Sequence, residues 1–331
     1  SRFFLVFGSN LAFAPKNAQV FLINGVLVVM PKAVIIHNKS VGAGFYKMAL
    51  KWKHGVVKPG QFVMLRVTDS FDPLLRRPFG VFDVLQGNGG VELFYKVVGK
   101  GTSIMSGLMP GDTVDVLGPL GNGFPTPSVK ENLVMVAGGV GVAPFYLLAK
   151  NALKKNISVT LLYGARNSEE VKIAADFKKL GVKVNLSTED GSAGKKGFVT
   201  SLLEKEFKVT PFYKGRGTHA KHGSGGIKRN TVVYACGPIG MLKEVSRVSM
   251  EHGVKSYVSL ERSMACGIGV CLGCAVRVSK CKVPPFSKGR GTHAKHGSGG
   301  ISGGMEVKKG YDMVCSDGPV FKSEVIEWEK L

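Results

Sequence analysis

The chain has 331 residues, 44% of them hydrophobic, a length that accommodates two or three domains with cores of ordinary size. Lysine and arginine number 45 against 23 aspartates and glutamates, a net charge of +22. That charge would suit nucleic acid or an anionic membrane, but the sequence has no long Lys/Arg run and no basic stretch interleaved with aromatic residues, which argues against both partners.

Residues 1–30 are apolar but are interrupted by Asn10, Pro15, Lys16 and Asn17. Neither apolar half reaches the ~20 residues that a membrane-spanning helix needs. We interpret the segment as an N-terminal extension outside the mature fold, with Met30 as the start of translation, in preference to a signal peptide or an anchor.

Residues 31–128 contain short β-type runs separated by glycine, proline and aspartate turns, which predict a small antiparallel barrel. Two motifs lie among these runs. Arg76 to Gly80 (RRPFG) could donate from a guanidinium fork to two oxygens of a pyrophosphate. Gly99 to Ser103 (GKGTS) could bind phosphate at the start of a helix. Taken singly, they also fit a solvated arginine pair and a capped turn.

Residues 129–257 alternate between strands and helices, which predicts a parallel sheet with crossover helices. The strand LVMVA leads into Gly138 to Pro144 (GGVGVAP) and then a helix, a context in which glycines let a dinucleotide approach. The strand TVVYA ends in Cys236 to Pro238 (CGP), and ligands bind at such strand ends. The alternatives are a tight turn that binds nothing and a buried, inert cysteine.

Residues 258–331 predict a small, loop-rich domain around four cysteines. Cys266, Cys271 and Cys274 have C-x4-C-x2-C spacing and Cys315 follows far downstream, which is the ligand spacing of a plant-type [2Fe–2S] cluster. A structural zinc site is the alternative, but zinc loops usually pair C-x2-C with a second such pair or with histidines. This pattern does not resemble a secreted disulfide framework, so we expect a cytoplasmic location.

A nearly identical segment occurs twice, at Pro211–Ile227 and Pro285–Ile301. Its glycine-rich part, residues 214–227 and 288–301, cannot build a core, so we interpret both copies as passive inserts in surface turns. Each copy carries an H-x-x-H pair, for which metal or anion binding is the alternative. The histidines are His219, His222, His293 and His296.

Taken in chain order, these motifs resemble the ferredoxin reductase superfamily, in which an FAD-binding barrel precedes an NAD(P)-binding α/β domain. With ERSMACGIGVCLGC and CSDGPVF near the C-terminus, the chain most resembles the electron transfer subunits of class B dihydroorotate dehydrogenases, from about Pro31 to Trp328. The resemblance implies three cofactors: FAD, NAD and a [2Fe–2S] cluster. It implies an antiparallel β-barrel FAD domain, a parallel-sheet α/β NAD domain and a small loop-rich [2Fe–2S] domain.

The resemblance also implies roles for individual residues. Arg77 would hold the FAD pyrophosphate or ribose, and Phe79 and Gly80 would lie against the isoalloxazine, although the family more often has Ser or Thr at position 80. The other implied cofactor-binding residues are Pro78, Gly101 and Thr102 for FAD; Gly138, Gly139, Gly141 and Pro144 for NAD; Gly164 and Arg166 for its adenosine; and Cys236, Gly237 and Pro238 for its nicotinamide. The implied cluster ligands are Cys266, Cys271, Cys274 and Cys315. No general acid or base is assigned.

The implied activity is electron transfer in an NAD-linked dihydroorotate dehydrogenase of pyrimidine biosynthesis. Electrons would pass from the FMN of a catalytic partner subunit through the cluster and FAD to NAD+, in a heterotetramer with two copies of each subunit and with neither nucleic acid nor membrane as a partner. Two alternatives stay open. One is another FAD/[2Fe–2S] NAD(P)H reductase subunit, such as that of a ferredoxin–NADP reductase or a hydrogenase diaphorase. The other is a non-catalytic basic binding protein with a structural cluster.

Overall fold

The computed structural model describes residues 19–23, 26–30, 32–208, 230–280 and 308–331. The glycine-rich parts of both inserts, their four histidines and much of the N-terminal extension lie outside these residues. Within the extension, strands β1 (Gln19–Ile23) and β2 (Val26–Met30) pair antiparallel as a sheet of their own.

A closed antiparallel barrel follows, as the short β-type runs predicted. Its elements are β3 (Lys32–Gly42), β4 (Phe45–Lys51), β5 (Phe62–Arg66), β6 (Arg77–Val84), β7 (Gly90–Lys96), helix α1 (Lys100–Ser106) and β8 (Thr113–Leu120). The strands close in the order β3-β4-β7-β6-β5-β8. Alternate residues such as Val63, Leu65, Val81 and Leu93 fill the interior, because successive side chains of a strand point to opposite faces.

A seven-stranded sheet forms the second unit. Its first elements are β9 (Asn132–Gly138), α2 (Phe145–Leu153), β10 (Val159–Ala165), α3 (Ala174–Lys179), β11 (Lys183–Thr188), β12 (Lys195–Lys196), α4 (Thr200–Lys208), β13 (Thr231–Cys236), α5 (Ile239–Glu251) and β14 (Lys255–Ser259). Pairing from β12 through β14 is parallel, as the alternation of strands and helices predicted. The chain moves outward from β9 to β12 and returns to β13 on the other side of β9, so the ends of β9 and β13 form a topological switch point.

The C-terminal segment adds β15 (Ala275–Lys280), β16 (Lys308–Met313) and β17 (Val320–Lys322). β15 and β16 pair antiparallel, with Ala275 opposite Met313 at one end and Lys280 opposite Lys308 at the other. β17 pairs antiparallel with β14 and so completes the seven-stranded sheet. The segment that carries the cysteines is therefore tied to the second unit through a shared sheet.

The barrel and the sheet pack against each other through aromatic rings and ion pairs. Phe82 of β6 stacks on Tyr146 of α2, with 4.4 Å between ring centroids. Lys150 Nζ of α2 lies 2.7 Å from Asp83 Oδ2 of β6. In the part of the chain that the structure describes, no helix is long and apolar enough to cross a membrane.

Candidate cofactor sites

Arg77 to Gly80 begin strand β6 at the barrel wall. Pro78 and Gly80 face outward, opposite Met64 and Phe62 of β5. Phe79 faces inward, where it is 9% exposed and its ring meets Tyr95 edge-on at 5.9 Å. Only the backbone of Phe79 is therefore presented on the outer face, beside Pro78 and Gly80.

The two weak barrel motifs meet in the fold. A Cβ atom on Gly101 would lie 2.6 Å from Arg77 Nε. The arginine side chain can therefore lie directly over the start of α1 only because residue 101 has no side chain. The Thr102 hydroxyl accepts hydrogen bonds from the backbone N–H groups of Val98 and Gly99, at 2.9 and 3.1 Å. It thus caps its own helix. The guanidinium of Arg77 donates from Nη1 to the carbonyl of Leu75, and its remaining N–H groups are left for a ligand.

The glycine loop after β9 lies against the end of β13. A Cβ on Gly141 would collide with the carbonyl oxygen of Cys236, and one on Gly138 would lie 2.7 Å from Pro238 Cδ. Gly139 has open space where its side chain would be. The two strand ends thus approach more closely than residues with side chains would allow, at the switch point of the sheet.

A cavity of about 690 Å³ opens at this switch point. Seven of the predicted dinucleotide-binding residues line it: Gly138, Gly139, Gly141, Gly164, Arg166, Gly237 and Pro238. Its other polar or aromatic lining residues were not predicted from the sequence; they are Phe45, Lys96, Glu170, Glu189, Phe198, Thr200, Glu244 and Glu261. One signal was available: Glu189 lies at the end of the predicted strand KVNLSTED, and ligands bind at the carboxyl ends of parallel strands.

Pro144 and Cys236 do not line the cavity. Pro144 precedes α2 and faces the barrel, where a Cβ on Gly80 would lie 3.9 Å from its Cδ. Cys236 is 3% exposed, and burial raises the pKa of its thiol far above the ordinary value. Glu261 also lines the cavity, and desolvation of its carboxyl group raises its pKa.

The four predicted cluster cysteines lie on one loop and one turn. Cys274 Sγ is 3.2 Å from Cys315 Sγ, and both residues are buried. The backbone N–H groups of Ile268 and Cys271 donate to Cys266 Sγ at 3.4 Å each, and that of Gly269 donates to Cys315 Sγ at 3.0 Å. Burial opposes ionisation of Cys266, but the donated hydrogen bonds outweigh it and lower its pKa to about 6.

The cysteine loop packs on the barrel. Gly267 has φ of +75°, and a Cβ there would lie 2.8 Å from Met64 Cγ and 3.1 Å from Leu120 Cδ1. Met64 is paired with Pro78 in the barrel sheet. The loop therefore lies one strand away from the candidate flavin segment. Among the described residues, no group of three or more His, Cys, Asp or Glu side chains is arranged to hold a single metal ion.

Two family models match the chain. One, an oxidoreductase FAD-binding domain, covers residues 33–124, and the other, an oxidoreductase NAD-binding domain, covers residues 135–247. The first spans the strands of the barrel, and the second runs from β9 into α5 of the parallel-sheet unit.

Curated relatives cover nearly the whole chain. A dihydroorotate dehydrogenase B (NAD(+)) electron transfer subunit from Geobacillus sp. is 35% identical over 294 residues, 87% of this chain and 95% of the relative. A protein of the same name from Fusobacterium nucleatum is 34% identical, over 88% of this chain and 96% of the relative.

Solved structures also match the fold. One described as an NADH-dependent reduced ferredoxin-NADP oxidoreductase superposes with a TM-score of 0.67 at 28% identity, over 90% of each chain. A ferredoxin NADP+ reductase from Neisseria gonorrhoeae, at 18% identity, covers 71% of this chain and 94% of its own with a TM-score of 0.51, and it supports the fold alone.

Proposed function

This chain belongs to the family of dihydroorotate dehydrogenase B electron transfer subunits, within the ferredoxin reductase superfamily, and from that premise we propose how its residues do their work. It is an oxidoreductase subunit with FAD- and NAD-binding domains that transfers electrons for NAD(+)-dependent dihydroorotate dehydrogenase. We propose further that the chain holds a [2Fe–2S] cluster and that its partner is an FMN-containing catalytic subunit. The two subunits would form a heterotetramer, with two copies of each, in pyrimidine biosynthesis.

For FAD, Arg77 is the proposed pyrophosphate ligand. Its guanidinium forms no ion pair with any described residue and lies over Gly101. Nη1 donates to the carbonyl of Leu75, and the remaining N–H groups are available to phosphate oxygens. Pro78, the Phe79 backbone and Gly80 offer a flat outer face for the ring, and Gly101 and Thr102 fix the adjoining helix start. Bound FAD would supply the ability to exchange electrons singly or in pairs, which belongs to the cofactor.

For NAD(H), the proposed cradle is the glycine loop Gly138–Gly141 with Gly237 and Pro238. The missing side chains let a dinucleotide approach the backbone at the switch point. Pro144 would bring this loop next to the flavin face at Gly80, while Gly164 and Arg166 would flank the adenosine. Cys236, buried and protonated because its pKa is raised, would act as packing behind the nicotinamide rather than as a nucleophile.

For the cluster, the proposed ligands are Cys266, Cys271, Cys274 and Cys315. The close approach of Cys274 and Cys315 supports this set, since each iron of a binuclear cluster needs two thiolates. The N–H groups that donate to Cys266 and Cys315 would stabilise the thiolates. A bound cluster would carry one electron at a time.

For the partner, the proposed docking surface is the apolar exterior of the cysteine loop. Ile268, Val270 and Leu272 are 55%, 74% and 63% exposed, on a loop whose backbone donates to the thiols. Apolar side chains in such a position favour burial against another protein.

The observation that carries the proposal is the packing of Gly267 against Met64, whose strand partner is Pro78. It supports a short separation between a cluster on the loop and a flavin on the barrel. The test is an ultraviolet–visible spectrum of the anaerobically purified chain, with iron, sulfide and flavin assays, before and after NADH. Two irons per FAD, with both chromophores bleached by NADH, are expected. Zinc without flavin would refute it.

A second candidate is a reductase subunit that serves ferredoxin. The similarity to the NADH-dependent reduced ferredoxin-NADP oxidoreductase structure, at 28% identity over 90% of each chain, favours it. Mixing the purified chain with an FMN-containing dihydroorotate dehydrogenase, or with ferredoxin, and assaying NAD(H) turnover separates the two: the primary proposal expects turnover that depends on dihydroorotate.

A further inference from the structure

The dinucleotide cavity is acidic, although the chain is strongly basic. Its lining contains two cations, Lys96 and Arg166, and four carboxylates, Glu170, Glu189, Glu244 and Glu261. The chain as a whole has a net charge of +22, a field that attracts any phosphate-rich ligand without discriminating between them. Discrimination must therefore come from the cavity wall, where negative groups outnumber positive ones.

Glu170 engages both cations of the cavity. Its Oε1 lies 2.7 Å from Lys96 Nζ and 3.2 Å from Arg166 Nε, and its own side chain is 9% exposed. Burial opposes ionisation of Glu170, but the hydrogen bonds from Lys96 and from the Arg166 backbone outweigh it and lower its pKa below the ordinary value. Glu170 is therefore a carboxylate at neutral pH, and it neutralises much of the positive charge that a further phosphate would need.

Glu189 lies where the adenosine end of a dinucleotide would reach. β10 and β11 run side by side, with Ala165 opposite Thr188 at their ends. The next residue, Glu189, donates its backbone N–H to the carbonyl of Ala165 at 3.1 Å, which brings it beside Arg166. Its side chain is exposed and lines the cavity, and two strands, β10 and β9, separate it from β13. Ligands of open parallel sheets bind outside the carboxyl ends of the strands, and a carboxylate in that place can accept hydrogen bonds from ribose hydroxyls.

We propose that Glu189, together with Glu170, selects NAD(H) against NADP(H). The Glu189 carboxylate accepts a hydrogen bond from the adenosine ribose and repels a 2′-phosphate in the same place. Lys96 and Arg166 offset that repulsion only in part, because Glu170 pairs with both. The inference rests on the proposed function, since it takes the cavity to be the dinucleotide site.

The expected discrimination follows from Coulomb's law. A carboxylate about 6 Å from a doubly charged phosphate in water disfavours binding by about tenfold, and more where protein atoms displace water. Because the interaction is between charges near the surface, the preference should shrink as salt is raised well above ~0.15 M.

The test is calorimetric titration of the full FAD-loaded chain with ADP-ribose and with 2′-phospho-ADP-ribose, which measures binding without turnover. The wild type should prefer ADP-ribose by at least about tenfold. Glu189→Gln, which keeps the shape and removes the charge, should lose most of that preference, and Glu189→Thr should do the same. The matched control is Glu169→Gln: Glu169 is exposed, pairs with Lys172 and does not line the cavity, so the preference should stay unchanged.

Equal affinity of the wild type for both ligands, or an unchanged preference in both Glu189 variants, would overturn the inference. Addition of NADH to the same samples distinguishes this failure from failure of the proposed function. Flavin bleaching by NADH with no effect of Glu189 removes only the selection role. Absence of bleaching, together with no binding of either ligand, removes the proposed function and the inference with it.

Discussion

Arg76 Nη2 lies 2.5 Å from Asp115 Oδ2, and the two side chains are 16% and 2% exposed. The adjacent Arg77 forms no ion pair with the described residues and instead packs over Gly101. Two neighbouring arginines therefore have separate tasks. Arg76 neutralises a buried carboxylate within the barrel wall, and Arg77 offers its guanidinium to a ligand.

Alanine substitutions should separate these tasks. Arg77→Ala should lose most bound FAD with little change in the stability of the apoprotein. Arg76→Ala should lower the free energy of unfolding by about 3–5 kcal/mol, because it leaves the Asp115 carboxylate buried and unpaired. Flavin-to-protein absorbance ratios and chemical denaturation of the apoprotein measure the two effects. Unchanged FAD content in Arg77→Ala would exclude Arg77 from the pyrophosphate site.

Position 80 should accept a side chain. A Cβ there would lie 3.9 Å from Pro144 Cδ, an ordinary contact, so Gly80→Ser should keep the fold, with an unfolding free energy within about 1 kcal/mol of wild type. Gly90→Ala is the contrasting variant: its Cβ would collide with the carbonyl oxygen of Leu50, and it should be strongly destabilised. Thermal denaturation measures both. Equal melting temperatures for the two variants would contradict the close approach of Gly90 to the Leu50 backbone in the barrel.

Loss of a cluster ligand should be visible in iron content. Cys274→Ala and Cys315→Ala should each lose most iron and sulfide, because a bridging binuclear cluster needs all four thiolates. Cys236→Ala is the control: it removes a buried thiol elsewhere, so iron should stay near two per chain. Retention of iron in Cys274→Ala would eliminate that residue as a ligand.

The ion pair between Lys96 and Glu170 should make the free energy of unfolding depend on pH in the acidic range. The folded-state pKa of Glu170 is below its ordinary value. The stability that its ionised carboxylate contributes is therefore present above about pH 4.3 and is lost as pH falls through the folded-state pKa. Glu170→Gln should lower the free energy of unfolding at pH 7 by about 1–3 kcal/mol, with less difference from wild type near pH 3. Urea denaturation at both pH values measures this.

Glu169→Gln serves as the control for that experiment. Glu169 pairs with Lys172 at the exposed surface, where ion pairs contribute little, so its loss should change stability by less than about 1 kcal/mol at either pH. A Glu170→Gln deficit that stays the same from pH 7 to pH 3 would contradict the assigned ionisation.

Partner docking should depend on the outer face of the cysteine loop. Val270→Ser should weaken association with the catalytic subunit about tenfold or more while leaving iron and FAD content unchanged. Val129→Ser is matched in chemistry and should have no effect. Val129 is 68% exposed and precedes the central strand β9, at the opposite end of the parallel strands from the cysteine loop. Equal affinities for both variants, measured by surface plasmon resonance, would place the interface elsewhere.

Local sequence patterns were sufficient for the order of domains and for the glycine positions. Gly138 and Gly237 each follow an apolar strand, so their place at strand ends could be predicted before the sheet order was known. The charges in the cavity could not be predicted in this way. Lys96 comes from a barrel strand and Glu261 from the segment after β14, and only the folded arrangement brings them to one wall.

The direction in which these side chains point could not be predicted from the sequence either. Phe79 stands in a motif with Pro78 and Gly80, but strand alternation turns its ring into the barrel core. Thr102 has a hydroxyl suited to phosphate, but that hydroxyl hydrogen-bonds the backbone N–H groups before its own helix. In both cases the local motif identifies the residue, but the backbone geometry determines which of its atoms a ligand can reach.

The β15–β16 ladder separates the cysteines from the second insertion point. Cys274 and Cys315 lie beside the Ala275–Met313 end, and the opposite end, Lys280 with Lys308, is about 17 Å away along the strands. Residues added between Lys280 and Lys308 should leave the spacing of the thiols unchanged, because the paired strands set that spacing. That makes the hairpin a point of attachment for engineering, where a reporter or a tether to an electrode could be grafted at a fixed distance from the redox centre.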